Sequence, residues 1–256
     1  MAAISVEGIV LKSYEFNDFD KVVSIFTKEF GRLQMKAFGV NKMTSKNRFS
    51  IQTFSHSNFQ IFKTNNPDKM SKLKTGELVD LNINLSKNYQ NYLYASACAE
   101  IIELSFDNYI KNVQAFEMLR EVIFKFSENV KATWLFALFL FYSLDWFGVK
   151  WNLKKCINCH NSSIKYINFD CENFGFLCPK CNDPEKYQVG DSFINLLAKL
   201  DINNFMKIKE ENDFLIRDII LLINILIEYL LNSLGLFSVS LEIIKKQKVF
   251  QNALFL

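Results

Sequence analysis

Histidine is nearly absent from this chain. Of its 256 residues only His56 and His160 carry an imidazole. There is no H-E-x-x-H helix, no glycine-rich phosphate loop of the Walker or dinucleotide type, and no G-x-S-x-G elbow. The carboxylates are scattered, and Asp18 and Asp20 read as turn residues rather than an acid/base pair. Nothing in the pattern calls for an enzyme. Glycine and proline are also scarce, at eight and three copies, and no internal repeat, low-complexity tract or long flexible linker is present. Long apolar runs are missing too. Residues 134–147 and 219–231 fall short of the roughly 20 needed to span a bilayer. Asp145 interrupts the first, and Asn224 and Glu228 the second, so both read as buried core helices. The N-terminus lacks a basic segment followed by an apolar core, so no secretory export is expected. Cytoplasmic thiols stay reduced, which makes paired cysteines metal ligands rather than disulfides.

Four of the six cysteines make such pairs: Cys156, Cys159, Cys178 and Cys181 form a C-x2-C…C-x2-C array. Each pair sets two thiolates on one knuckle, and two knuckles close a tetrahedral sulfur shell around one zinc ion. With four protein ligands no position stays open for water or substrate, so the expected zinc is structural. The competing reading is of unligated or disulfide-forming cysteines. Cys171 lies between the knuckles without a partner two residues away, as an alternative ligand. His160 is a minor ligand candidate, and Cys98 in an apolar stretch reads as a small core residue.

Half of the residues are apolar, with 26 phenylalanines, enough for aromatic-rich folded cores. The net charge of +3 says little, but its distribution says more. Between residues 32 and 76 nine basic residues (Arg32, Lys36, Lys42, Lys46, Arg48, Lys63, Lys69, Lys72, Lys74) face one acid, Asp68, leaving 21 basic against 26 acidic residues elsewhere. The basic N-terminal part therefore suits a polyanion.

Residues 4 to about 80 read as β structure. Val6–Leu11 and Lys21–Phe26 are β-branched runs, Leu33–Phe38 and Phe54–Phe62 alternate, and Leu73–Val79 makes a fifth strand. Five short strands with a basic loop between the third and fourth suggest a small barrel of the OB type. Beyond Asn82 the period becomes helical, with Tyr89, Leu93, Ala97, Ile101 and Leu104 at one spacing. Helices are expected over residues 113–126, 132–147, 193–200 and 213–234, with Gly148 and Gly235 as stops. The expected class is α+β. Residues 1–80 form the OB-type barrel, 81–151 and 186–256 form one α-helical domain, and 152–185 form an inserted four-cysteine zinc module.

The loop at 41–48 sets cations beside hydroxyl and amide donors, which suits a phosphate backbone and carries no sequence code. Phe49, Phe54, Phe59 and Phe62 are candidate base-stacking rings, although strand spacing puts most of them in the core.

The combined pattern resembles the bacterial RecO family of DNA repair and recombination mediators. The resemblance rests on Glu7–Lys12, Asp20–Thr27, Glu29-Phe30-Gly31, Ala37-Phe38-Gly39 with the basic loop after it, and the cysteine array. It covers nearly the whole chain. It implies an OB barrel, a helical domain and a zinc module, without enzymatic activity, in the cytoplasm and associated with the nucleoid. The implied activity is binding of single- and double-stranded DNA and annealing of complementary strands. The implied partners are the acidic C-terminal tail of single-strand-binding protein and RecR, with which such proteins help load RecA. DNA contacts are then expected at Lys36, Lys42, Lys46 and Arg48, with Lys12, Lys21 and Arg32 in support. The loop departs from the family in having Val40-Asn41-Lys42 where arginine is usual, replacing bidentate contacts with point charges. Two other classes compete: a zinc-ribbon module of transcription or RNA handling, and an interaction protein whose basic face meets an acidic partner.

Overall fold

The computed structural model describes residues 3–64, 66, 69–149, 151, 153–162, 168–170, 173–182, 189–202, 204–210 and 213–247. Cys171 and Asp68 lie outside them. The chain forms two compact units, one of Met1–Ala132 with Leu236–Glu242 and one of Thr133–Gly235 with Ile243–Leu256.

In the first unit, five strands close into a barrel in the order β1-β2-β3-β5-β4. They are β1 (Ile4–Glu15), β2 (Lys21–Thr27), β3 (Gly31–Ala37), β4 (His56–Phe62) and β5 (Ser71–Asp80). All pairs are antiparallel except β3 with β5. This is the OB-type barrel expected from the sequence. Alternation explains β3 and β4. Leu33, Met35 and Ala37, and Phe59 and Ile61, point into a core shared with Val6, Val10, Val23 and Ile25, while the residues between them face outward. β2 breaks the alternation because it is covered on both faces. Phe26 turns out of the barrel and meets Phe106 and Phe116 at ring distances of 5.5 and 6.4 Å.

Several strand ends differ from the expected ranges, and three of these differences shape the barrel end. β1 continues to Glu15 past a register shift between Val10 and Lys12. β3 stops at Ala37 and leaves Phe38 outside. β4 starts at His56, because Phe54 has a left-handed φ of 68° and its N–H donates to Val10 O at 2.8 Å.

After a 3-10 turn (Ile83–Lys87), α1 (Tyr89–Ser105) and α2 (Val113–Ser127) begin at Asn88 and Asn112, whose side chains accept from the N–H groups of Asn91 and Ala115. Each such cap is worth about 1 kcal/mol. Along α1 the middle of the expected stripe is buried at Leu93, Ala97 and Ile101, while its ends, Tyr89 and Leu104, are exposed. Cys98 is fully buried there, and burial pushes its thiol well up. Ser238 and Ser240 donate to the Glu100 carboxylate at 2.5 and 2.8 Å and tie the return segment to α1.

In the second unit, α3 (Ala132–Ser143) runs into a 3-10 turn (Leu144–Phe147) ended by Gly148 at φ 73°. A short hairpin follows, β6 (Asn168–Asp170) with β7 (Gly175–Leu177). Then come α4 (Asp191–Ile202), α5 (Phe205–Ile208) and α6 (Ile216–Glu228); the last described element, α7 (Val239–Lys245), begins in the segment that returns to the first unit. Trp134 on α3 donates its indole N–H to Ile208 O at 3.4 Å and packs its ring, tilted, 4.8 Å from that of Phe214. Helices from either side of the cysteine segment therefore pack together. No described helix is long and apolar enough to cross a membrane.

Candidate nucleic-acid interface and metal centre

One end of the barrel is built by the β1–β2 turn and the β3–β4 segment, residues 38–55. Asp20 closes the turn: Phe16 N–H donates to its carbonyl at 3.0 Å, and its carboxylate accepts from Gly39 N–H at 2.7 Å. Asn41 N–H donates to Phe19 O at 3.1 Å, so the turn also holds the start of the segment. Asp18 and Asp20 thus lie in the turn that the sequence suggested. Val40 and Ile51 anchor the segment in the barrel core, and Ser50 O accepts from the hydroxyls of Ser55 and Ser57. Asn47 Oδ1 accepts from Gly76 N–H on β5 at 3.0 Å. Only glycine permits this approach, since a Cβ at position 76 would sit 2.2 Å from Ser50 Oγ. With Val40 and Ile51 held inward, the segment leaves Lys42, Met43, Thr44, Lys46, Arg48 and Phe49 exposed.

The seven expected DNA-contact residues fall into two groups. Lys36, Lys42, Lys46 and Arg48 gather at this end, and among the described residues no carboxylate pairs with any of them. Lys36 lies beside Lys72 in the β3–β5 ladder, which adds a fifth cation to the row. The three supporting cations are placed differently. Lys21 pairs with Glu15 at 3.0 Å across β1 and β2. Glu15 is held below the usual carboxylate range by a hydrogen bond from the Asn41 amide and then by Lys21. Lys12 pairs with Glu103 at 2.7 Å. Burial works against its charge, but Glu103 and the nearby Glu100 outweigh that and hold it above its ordinary value. Such solvent-screened pairs add little to stability, yet each cancels one positive charge toward a polyanion. Arg32 sits at the far end of β3, beside Asn108, with its Nε buried and without a hydrogen-bond partner among the described residues. Lys21 and Arg48 line a common cleft of about 360 Å3 with Glu15, Asn41 and Gln52.

Of the four candidate rings, Phe54 and Phe59 are core, Phe62 is half-buried and Phe49 is exposed. Sequence reasoning passed over three others. Phe16, Phe19 and Phe38 are 49, 53 and 54 % exposed at this same end. For Phe16 and Phe19 a signal was present: Phe16-Asn17-Asp18-Phe19-Asp20 embeds both rings in turn-forming residues, away from any strand face. Lys36 Nζ stands over the Phe16 ring at 4.7 Å and Lys42 Nζ over Phe19 at 5.4 Å.

In the second unit the four paired cysteines converge, with all four Sγ atoms within 4.8 Å of one another. Cys159 and Cys178 are 3.7 Å apart, close to the edge of about 3.8 Å that a tetrahedral shell of 2.3 Å metal–sulfur bonds requires. Both knuckles are shaped by backbone bonds. His160 N–H donates to Cys156 O at 2.8 Å, and the N–H groups of Cys181 and Asn182 donate to Cys178 O at 3.0 Å. His160 joins through its backbone, and its ring stands outside the sulfur cluster. Ile157 N–H bonds to Phe176 O, laying the first knuckle on β7. Gly175 makes room, because a Cβ there would meet Ile157 Cγ2 at 1.8 Å. Burial opposes ionisation of Cys156, but the N–H groups of Cys159, Cys178 and Asn158 and the Cys159 thiol bring it down to about 6. Burial and the three neighbouring cysteines push Cys181 up to about 12. One thiolate receiving bonds from its neighbours is how four thiols share a site, and a soft divalent cation would ionise all four. The donor set fits a structural metal.

Comparison with known proteins agrees with this geometry. Residues 1–82 match the family model described as recombination protein O N terminal, and residues 86–241 match that described as recombination protein O C terminal. The DNA repair protein RecO of Mesoplasma florum is 36 % identical over 255 residues, covering 100 % of this chain and 95 % of that protein. The protein of the same name from Mycoplasma capricolum is 28 % identical over 251 residues, covering 96 % and 99 %. That of Mycoplasma mycoides is 32 % identical over 206 residues, covering 79 % and 81 %.

Proposed function

The chain belongs to the RecO family of DNA repair proteins, and from that premise we propose that it is a non-enzymatic recombination mediator acting in the cytoplasm on nucleoid DNA. It binds single- and double-stranded DNA, anneals complementary strands, and with RecR helps load RecA on DNA coated with single-strand-binding protein. The observation that supports this best is the gathering of Lys36, Lys42, Lys46 and Arg48, none paired with a described carboxylate, at one end of a closed barrel. Annealing brings together two phosphate backbones that repel each other. Cations on flexible side chains neutralise both and release their counterions without any covalent step. The acidic tail of single-strand-binding protein is drawn by the same polarity of charge.

The metal in this reading is one zinc ion held by Cys156, Cys159, Cys178 and Cys181. When bound it supplies cross-linking of the two knuckles, which fixes β7 against the first of them. Four sulfur ligands leave it no place in DNA chemistry.

The test is equilibrium binding of a single-stranded oligonucleotide and of its duplex across a salt series, for the natural chain and for Lys42→Ala/Lys46→Ala/Arg48→Ala. Both DNAs should bind at low salt. The triple substitution should lower the slope of log affinity against log salt by about two for single strands. Equal slopes would move the site away from this loop, and no binding to either DNA at low salt would overturn the reading.

A further inference from the structure

The cations at the barrel end account for attraction to any nucleic acid, paired or unpaired. They leave unexplained why four phenylalanines stand half in water beside them. An exposed ring forgoes the stabilisation of a buried one, and this chain has ample core to receive phenylalanine. Single exposed rings are common on protein surfaces, whereas a cluster rimmed by charge marks a binding surface.

The local geometry says what such a surface takes. Phe16 and Phe19 project from a turn that Asp20 fixes by accepting from Phe16 N–H and Gly39 N–H, and both rings stand about half exposed there. Each ring has its own ammonium, Lys36 at 4.7 Å and Lys42 at 5.4 Å from the ring centre. Phe38 extends the rim where β3 ends, next to Gly39, and Phe49 follows Arg48 on the segment that crosses it. The repeated unit is one ring and one cation. A nucleotide has the complementary pair, one π-face and one phosphate. A protein partner with an acidic surface would use the cations but not the rings. A duplex would also use only the cations, because its bases are already stacked on one another.

We propose that Phe16 and Phe19 are base-stacking residues and that Lys36 and Lys42 hold the adjoining phosphates, so that this rim binds unpaired strands in preference to duplex. The inference rests on the DNA-binding reading above and adds the discrimination between single and double strands. Such a preference also suits annealing. The rim holds bases only while they are unpaired, and it releases them as they leave its rings for a complementary strand.

Ring and charge contributions separate in one experiment. Binding of oligo(dT) and of a duplex of equal length is measured across a salt series for the natural chain and for three variants. These are Phe16→Ala/Phe19→Ala, Phe16→Leu/Phe19→Leu, which keeps apolar bulk but loses the π-face, and Lys36→Ala/Lys42→Ala. Both phenylalanine variants should lose at least tenfold in affinity for oligo(dT), change less than twofold on duplex, and keep the natural salt slope. The lysine variant should weaken both DNAs and lower the single-strand slope by about 1.4. Thermal melting of the leucine variant within a few degrees of the natural chain confirms an intact barrel. Equal losses on single strand and duplex, or no loss from either phenylalanine variant, would overturn the stacking role and leave the DNA-binding reading standing. Absence of all DNA binding by the natural chain would overturn both.

Discussion

Glu15 sets the balance of charge at the rim. Its carboxylate takes the Asn41 amide and Lys21 together, and it cancels the one cation of the cleft that has a partner. Glu15→Gln keeps the hydrogen bond to Asn41 possible and frees Lys21. Affinity for single strands should rise at low salt, with a slope steeper by about 0.7 for the one added cation. A fall in affinity would mean that the carboxylate matters for shape instead. The same residue gives a pH dependence. Its folded pKa lies below the unfolded value of about 4.3, so its contribution to stability is present above that value and is lost as pH falls through the depressed pKa. Urea unfolding of the natural chain and of Glu15→Gln should therefore differ at neutral pH and converge in acid. Neither effect was readable from sequence. The pairing needs the register of β1 on β2, and the pairing of Lys12 with Glu103 spans 91 positions along the chain.

Elements were more legible than the residues they present. The alternation of β3 and β4 and the local spacing of the cysteines are one-dimensional signals of three-dimensional order. Phe38, by contrast, reads like one more strand residue. Only the end of β3 at Ala37 shows that it leaves the sheet, and hydrophobicity alone does not separate a ring for the core from a ring for a ligand. The β3–β4 segment depends on one contact that sequence hides, Gly76 against Ser50. Gly76→Ala should cost about 1–3 kcal/mol by overpacking and should weaken DNA binding, because it lifts the segment that carries Lys42, Lys46 and Arg48. Ser50→Gly added to it should recover part of both losses, and chemical denaturation of the double variant tests this. The cysteine knuckles carry a separate prediction. Metal analysis should find one zinc per chain, absent from Cys156→Ser/Cys178→Ser. A chelator should open the second unit to proteolysis around the knuckles while the barrel keeps its protection. Unchanged proteolysis after metal removal would contradict a structural role.

At the scale of the whole molecule, charge polarity and fold tell one story. Nine basic residues against one acid lie between residues 32 and 76, and the rest of the chain carries an acidic excess. Folding sorts those nine cations further: it brings Lys36, Lys42, Lys46, Arg48 and Lys72 toward one end of the barrel and sends Arg32 to the other end of β3. The OB class and the helical region were readable because each rests on periodicity over many residues. The placement of cations and rings was not, because it depends on where strands stop and how turns close. The most direct measurement is annealing of complementary oligonucleotides coated with single-strand-binding protein, followed across a salt series with the natural chain and with Lys42→Ala/Lys46→Ala/Arg48→Ala. Fast annealing that declines with rising salt and slows at least tenfold with the triple substitution is expected of a mediator working through this rim. Annealing no faster than the spontaneous rate at any salt would contradict it.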